Sequence, residues 1–227
     1  MCKIATGVLL KTLQLDLEKY GWTHLEASSE YDEIISFVVD ETARLLGPMA
    51  TARAGATREI VVPLHRVDAH PRSQSAAYGL GPLPFHVELS HRQVPCRYLV
   101  LGCLDPGQPS CSTTLLDWRS LGFTSHDLSQ LRGAPLLVRN GRRSFYTSAL
   151  PADGRFLRYD VECIEAVDAR GRAALNTIQT RLSAAASISQ NWRRGDILVI
   201  DNWRMLHGRE AVQQDSGRRL VRRLVDA

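Results

Sequence analysis

A chain of 227 residues, 44% hydrophobic and 23% charged, has the length and composition of one large globular domain, which excludes disorder, collagen-like repeats and coiled coil as its main state. Lys11 and Asp16 interrupt the apolar N-terminal stretch, so no run of about 18 apolar residues exists and a membrane span is excluded; nor does that stretch read as a secretory signal, so a cytoplasmic protein is expected. The net charge is +4, carried almost wholly by arginines scattered from Arg44 through Arg53 to Arg223 among acids, which reads as solvated surface and not as the single basic face of a nucleic-acid binder.

Residues 6–19 and 31–46 carry helical spacing, the second through Tyr31, Ile34, Ile35, Val38, Val39 and Leu45 with acids between. A short strand is expected at 60–64, followed by a Pro-, Gly- and Ser-rich loop at 70–84. Loops of that length usually have a task, and His70, Arg72, Ser73, Ser75 and Tyr78 are candidates to line a substrate pocket. Short apolar or β-branched runs then recur at 85–89, 98–104, 113–118, 135–138, 144–148 and 156–164. A helix is expected at 169–187, and strands at 196–201, 206–212 and 219–225. Many short strands with a few helices outside them predict a mainly β domain with flanking helices, a β-sandwich or barrel of the jelly-roll kind. The whole chain, 1–227, is expected as one such domain with a helical N-terminal part over about 1–50.

Cys2, Cys96, Cys103, Cys111 and Cys163 form no CxxC pair and no zinc spacing, so they are expected as reduced, mostly buried thiols. The chemistry-bearing residues lie elsewhere. His86 and Glu88 are two apart in Phe85-His86-Val87-Glu88-Leu89, and on a strand both would point to one face, where an imidazole and a carboxylate can meet one cation. A distant His207 follows the patterned strand from Gly195. Two histidines and one carboxylate are the sequence form of the facial triad that holds Fe(II) and leaves three positions open. Arg218 stands eleven residues beyond His207, with Arg222 four further on. A guanidinium there suits the far carboxylate of a chelating dicarboxylic 2-oxo acid, because its fork makes two parallel hydrogen bonds.

The segments Phe85 to Glu88, Thr113 to Asp117, Arg158-Tyr159-Asp160, and Gly195 to Asn202 through Leu206-His207-Gly208-Arg209 resemble the Fe(II)/2-oxoglutarate dioxygenases related to taurine dioxygenase and clavaminate synthase. The resemblance implies a double-stranded β-helix, with His86, Glu88 and His207 as iron ligands and Arg218 as the partner of the distal 2-oxoglutarate carboxylate. It also places a hydroxyl on that carboxylate near Thr113, twenty-seven residues after His86, and Arg222 on the cosubstrate or on an anionic group of the substrate. It implies Fe(II) as cofactor, 2-oxoglutarate and O2 as cosubstrates, and hydroxylation of an unactivated carbon as the default outcome, with desaturation, cyclisation and epimerisation open to the same residues. A glutamate as the carboxylate ligand favours a small polar substrate, a free or carrier-tethered amino acid or a natural-product intermediate, so a carrier protein is a further partner. Here the turn before Thr113 reads Pro106 to Ser112, in place of the Gly-Gly-acid turn common in the family. Two readings from other classes stand beside this one: a metal-binding jelly roll without oxidative turnover, and an anion or nucleic-acid binder working through Arg218, Arg219, Arg222 and Arg223.

Overall fold

Two helices pinned against one sheet open the chain. The computed structural model describes residues 3–51, 55–71 and 73–227, with residues 3–9 as backbone only; Cys2, Arg53 and Arg72 lie outside the described residues. Within them the order is α1 (Lys3–Tyr20), β1 (Trp22–Glu26), α2 (Asp32–Leu46), β2 (Met49–Ala50), β3 (Arg58–Val61), α3 (Gln74–Tyr78), β4 (Leu83–His86), β5 (Tyr98–Asp105) and β6 (Thr113–Asp117). The second half continues with α4 (Ser125–Gly133), β7 (Leu136–Val138), β8 (Phe145–Thr147), β9 (Ile164–Ala166), α5 (Ala169–Ala184), β10 (Ile188–Gln190), β11 (Asp196–Asp201), β12 (Met205–Arg209) and β13 (Arg219–Val225). Caps fix two of the helices. Thr124 and Asp127 form a reciprocal capping box on α4, and the Asp168 carboxylate accepts the Gly171 N–H at the start of α5.

The larger sheet runs β1-β11-β5-β13-β2, with β3 also paired to β13; a second sheet runs β10-β6-β12-β4, and β8-β7-β9 form a small third one. Every pairing between these strands is antiparallel. The jelly roll expected from the strand count is therefore present.

Alternation along β5 shows how the sequence builds the layers. Leu99, Leu101 and Cys103 face inward and pack with Leu115 and Met205 of the second sheet, with Trp192, and with Leu198, Ile200, Leu220 and Leu224 of the first. Val100 and Leu104 face the other way, onto Leu13, Leu17, Ile35, Val39 and Ala43 of α1 and α2. A strand covered on both faces reads as a continuous apolar run, which is why 98–104 and 196–201 are so plain in the sequence. Gly102 is required at the centre of β5, since a Cβ there would stand 2.5 Å from a Val39 methyl and hold α2 off the sheet. A third apolar cluster, around Leu131, Leu136, Leu150, Leu157 and Ile178, lies under α4, α5 and the small sheet.

Several expectations are corrected. The run 156–164 is not one strand: residues 155–160 pair with no neighbouring strand, and β9 begins only at Ile164. The apolar residues there are buried because Phe156 and Leu157 pack inward, not because they join a ladder. The chain 85–89 leaves β4 at His86. β1, β2 and β10 are strands the sequence reading passed over, and the loop 70–84 holds the short α3. Finally, β13 is an interior strand between β5 and the pair β2 and β3, so Arg219 and Arg223 are not the simple solvated surface expected of the scattered arginines. Arg219 pairs with Asp32 at 3.0 Å and Arg223 with Asp40 at 2.6 Å, both acids belonging to α2. Cys96, Cys103, Cys111 and Cys163 are buried, as expected of the thiols.

Candidate metal centre

β4 and β12 are antiparallel neighbours with His86 directly opposite His207. Register alone thus brings two histidines 121 positions apart in the chain into contact, their ring centroids 4.3 Å apart and tilted by 50°. Gly208 permits this. A Cβ at that position would lie 2.7 Å from the Leu83 carbonyl and 2.9 Å from Thr114 Oγ1, so any larger residue would push β12 away from β4 beside the two rings.

Glu88 reaches the same place by another route than expected. It does not share a strand face with His86; it stands in the turn that follows β4. Its Oε2 nevertheless lies 4.0 Å from His207 Nε2, and one donor atom from each of His86, Glu88 and His207 falls within 4.8 Å of the others.

The protonation states suit ligation. The His86 Nδ1 lies 3.0 Å from the Pro84 carbonyl, which can only accept, so Nδ1 donates and Nε2 is the ring nitrogen turned to other partners. Burial, then the neighbouring His86, pushes the His207 imidazole well below its ordinary pKa, leaving it neutral. Burial pushes the Glu88 carboxyl upward, but Arg222, His86 and His207 outweigh it and hold the group at about 2, fully ionised. Two imidazoles and one carboxylate form the donor set that suits non-haem Fe(II).

Arg218 stands immediately before β13. It is buried, its Nε has no hydrogen-bond partner, and among the described residues no carboxylate pairs with it. Burial lowers its pKa, with the thiols of Cys111 and Cys103 acting the other way. A buried guanidinium without a counter-ion is costly. Thr113, buried on β6, accepts a 3.0 Å hydrogen bond from the Trp192 indole, which leaves its own hydroxyl hydrogen to donate. A cleft of about 290 Å³ has Arg218, Gly217, Gln213, Leu80 and Pro63 in its wall.

Arg222 is in a different state. Its Nη1 donates to Glu88 at 2.8 Å, while Nε and Nη2 both reach Glu59 on β3, at 3.0 and 2.5 Å. It pairs with the carboxylate at the centre of the cluster, and each of its three nitrogens already donates one hydrogen bond. In the long loop, the Ser73 hydroxyl donates to the His70 carbonyl and Tyr78 donates to Glu162 at 2.8 Å, so both are engaged away from the three donors. Glu59, Trp192 and Asn202, which binds the Glu88 backbone, had no role in the sequence reading. Only Asn202 lay inside a quoted motif.

This arrangement can be set beside known proteins. Residues 122–224 match the family model of the taurine catabolism dioxygenase TauD, TfdA family. The matched segment takes in His207, Arg218 and Arg222 and begins after His86, Glu88 and Thr113. Among solved structures, an asparagine oxygenase in complex with Fe(II), 2S,3S-3-hydroxyasparagine and succinate superposes with a TM-score of 0.77 at 18% identity, covering 97% of this chain and 79% of that one. The non-haem iron oxygenase OrfP in complex with Fe and alpha-ketoglutaric acid does so with a TM-score of 0.79 at 17% identity, covering 100% and 81%. A point mutant of OrfP in complex with (3S)-hydroxy-L-Arg gives 0.78 at 18% identity, covering 100% and 80%. The chain shares the fold of these oxygenases. No curated protein sequence matches the chain.

Proposed function

We propose that the protein is an Fe(II)- and 2-oxoglutarate-dependent dioxygenase that hydroxylates an unactivated carbon of a small polar metabolite. The observation that carries this reading is the pairing of a His-Glu-His donor cluster with a buried arginine that lacks an anion. His86, Glu88 and His207 would hold the iron, and Arg218 with Thr113 would hold the far carboxylate of 2-oxoglutarate. Bound together, iron and keto acid supply the oxidising power, with 2-oxoglutarate and O2 consumed and succinate and CO2 released.

The chain's own residues do the rest. Arg218 selects a dicarboxylic cosubstrate over a monocarboxylic one, since only the former fills its fork. Arg222 keeps Glu88 ionised, and Glu59 keeps Arg222 in place. The apolar residues Leu115, Met205 and Leu220 between the two sheets favour a dry interior, and positioning of the target carbon is the protein's main contribution to rate. A free or carrier-tethered amino acid, or an intermediate derived from one, is the favoured substrate. Support for it is the glutamate ligand and the likeness to an asparagine oxygenase and to OrfP bound to a hydroxylated arginine.

The reading without oxidative turnover predicts metal binding but no use for a buried unpaired Arg218. The basic-tail reading loses its surface, because Arg218 and Arg223 are buried, Arg222 is bound to Glu59 and Glu88, and Arg219 is paired with Asp32. The test is succinate formation from 2-oxoglutarate with Fe(II) and air, with and without a panel of free amino acids. The proposal expects metal-dependent succinate in the wild type, stimulated by the true substrate and abolished in His86→Ala. No succinate above the metal-free control under any panel member would overturn it.

A further inference from the structure

The Glu88 carboxylate is aimed by a turn, not by a strand, and turns are the less rigid support. β4 stops at His86, and the chain then folds back on itself with the Ser90 N–H donating to the Val87 carbonyl at 3.3 Å and the Ser90 hydroxyl to the same carbonyl at 2.7 Å. The residue immediately after Glu88, Leu89, has φ 58°. That left-handed conformation is uncommon for any residue with a Cβ and persists only when its surroundings over-determine it. Something must therefore hold this turn.

The Asn202 side chain does so directly. It is fully buried at the corner between β11 and β12. Its Oδ1 accepts the Glu88 N–H at 2.8 Å, and its Nδ2 donates to the Glu88 carbonyl at 3.0 Å and to the Cys96 carbonyl at 2.7 Å. One amide thus satisfies both backbone groups of Glu88, as a paired strand would, at a place where no strand runs alongside. The backbone of Asn202 is anchored in turn, its N–H donating to the Arg97 carbonyl at 2.7 Å.

Five residues further on stands His207. The corner that carries one imidazole donor is therefore locked to the turn that carries the carboxylate donor, 114 positions away in the chain. At the far end of the same segment, the buried Arg158 guanidinium donates to the carbonyls of Ser90, Arg92 and Gln93, wedged between the rings of Phe145 and Phe156. That clamp holds residues 90–93 and makes no contact with Glu88, so the aiming falls to Asn202.

We propose that Asn202 is a positioning residue for the metal centre: by holding both backbone groups of Glu88 it fixes the distance between the carboxylate and the two imidazoles. This rests on the reading of His86, Glu88 and His207 as metal ligands. Outer partners that orient metal ligands typically change affinity ten- to a hundredfold when removed.

The test measures Co(II) binding by the visible absorption of the Co(II)-loaded protein, with the thermal melting temperature of the metal-free protein recorded for each variant. Asn202→Asp keeps an acceptor for the Glu88 N–H but turns an oxygen toward two carbonyls; Asn202→Ala removes all three bonds. Both are expected to weaken Co(II) by about tenfold to a hundredfold and to shift the spectrum toward that of Glu88→Ala. Val39→Ala, in the core on the far face of the large sheet, is the control that lowers melting without touching Glu88. If the Asn202 variant that folds binds Co(II) with wild-type affinity and spectrum, or loses no more affinity than Val39→Ala at an equal melting temperature, the positioning role is overturned. If the wild type itself binds no Co(II), the ligand reading falls and this inference with it.

Discussion

Replacing Arg218 by methionine separates the two things a buried arginine can do, which are to stabilise the fold or to wait for a ligand. The side chain is buried, its Nε is unpartnered, and no acid pairs with it among the described residues. A charge kept in that state costs the folded protein several kcal/mol of lost hydration before any partner arrives. Methionine retains most of the apolar stem and removes the charge, so the metal-free protein is expected to be unchanged or more stable by about 1–3 kcal/mol. The bound state behaves in the opposite sense. Truncating one side of a buried charged pair costs about 2–5 kcal/mol, which at 1.4 kcal/mol per decade is a loss of about 30-fold to several thousandfold in 2-oxoglutarate affinity. Chemical denaturation of the metal-free protein and anaerobic calorimetry of 2-oxoglutarate binding to the Fe(II)-loaded protein read the two effects separately. A variant destabilised by more than about 2 kcal/mol that still binds 2-oxoglutarate with unchanged affinity would refute the reasoning, because Arg218 would then be structural.

Other consequences follow from single contacts. Trp192→Phe removes the donor to Thr113; a lost hydrogen bond of about 1 kcal/mol predicts roughly fivefold weaker 2-oxoglutarate binding with iron affinity unchanged, measured in the same titration. Gly208→Ala places a methyl against the Leu83 carbonyl, so overpacking should cost about 1–3 kcal/mol in denaturation and weaken the metal by separating His86 from His207. Asp40→Asn leaves Arg223 buried without its acid, and breaking such a pair costs about 3–5 kcal/mol. Burial raises the Asp40 pKa, but Arg223 and Arg58 outweigh it and the group sits below its ordinary value. The pair's contribution is therefore fully present above the usual carboxylate range and is lost as pH falls through and below it. Urea midpoints of wild type and Asp40→Asn should differ most above about pH 5 and converge in acid, while a constant gap at every pH would contradict this.

Much of the site was legible because its chemistry is carried by side-chain type and spacing. His207 and Arg218 hold their separation along one corner and one strand, and β11 and β13 are buried on both faces, so their patterns are unambiguous in one dimension. His86 and Glu88 do come together, but not by the expected period-two alternation: a turn with a left-handed Leu89 brings the carboxylate round. Arg158 defeated the strand at 156–164 because its side chain binds three backbone carbonyls across a loop, a use that leaves no periodic trace. Glu59 and Asn202 were hidden for a related reason. Each acts through a partner more than a hundred positions away, Arg222 for one and the Glu88 backbone for the other, and only the register of β3 on β13 and the corner after β11 bring them together. β1, with exposed or half-exposed Trp22, His24 and Leu25, lacks the apolar density that marks the central strands.

The most direct test of the central claim is anaerobic titration of the metal-free protein with Fe(II) and 2-oxoglutarate, following the weak visible charge-transfer absorption that forms when a keto acid chelates iron. It requires no substrate. A band that saturates at one iron and one 2-oxoglutarate per chain, is absent in His207→Ala and needs far more 2-oxoglutarate in Arg218→Met is the result predicted here. Iron binding without the band, or no iron binding at all, would contradict it.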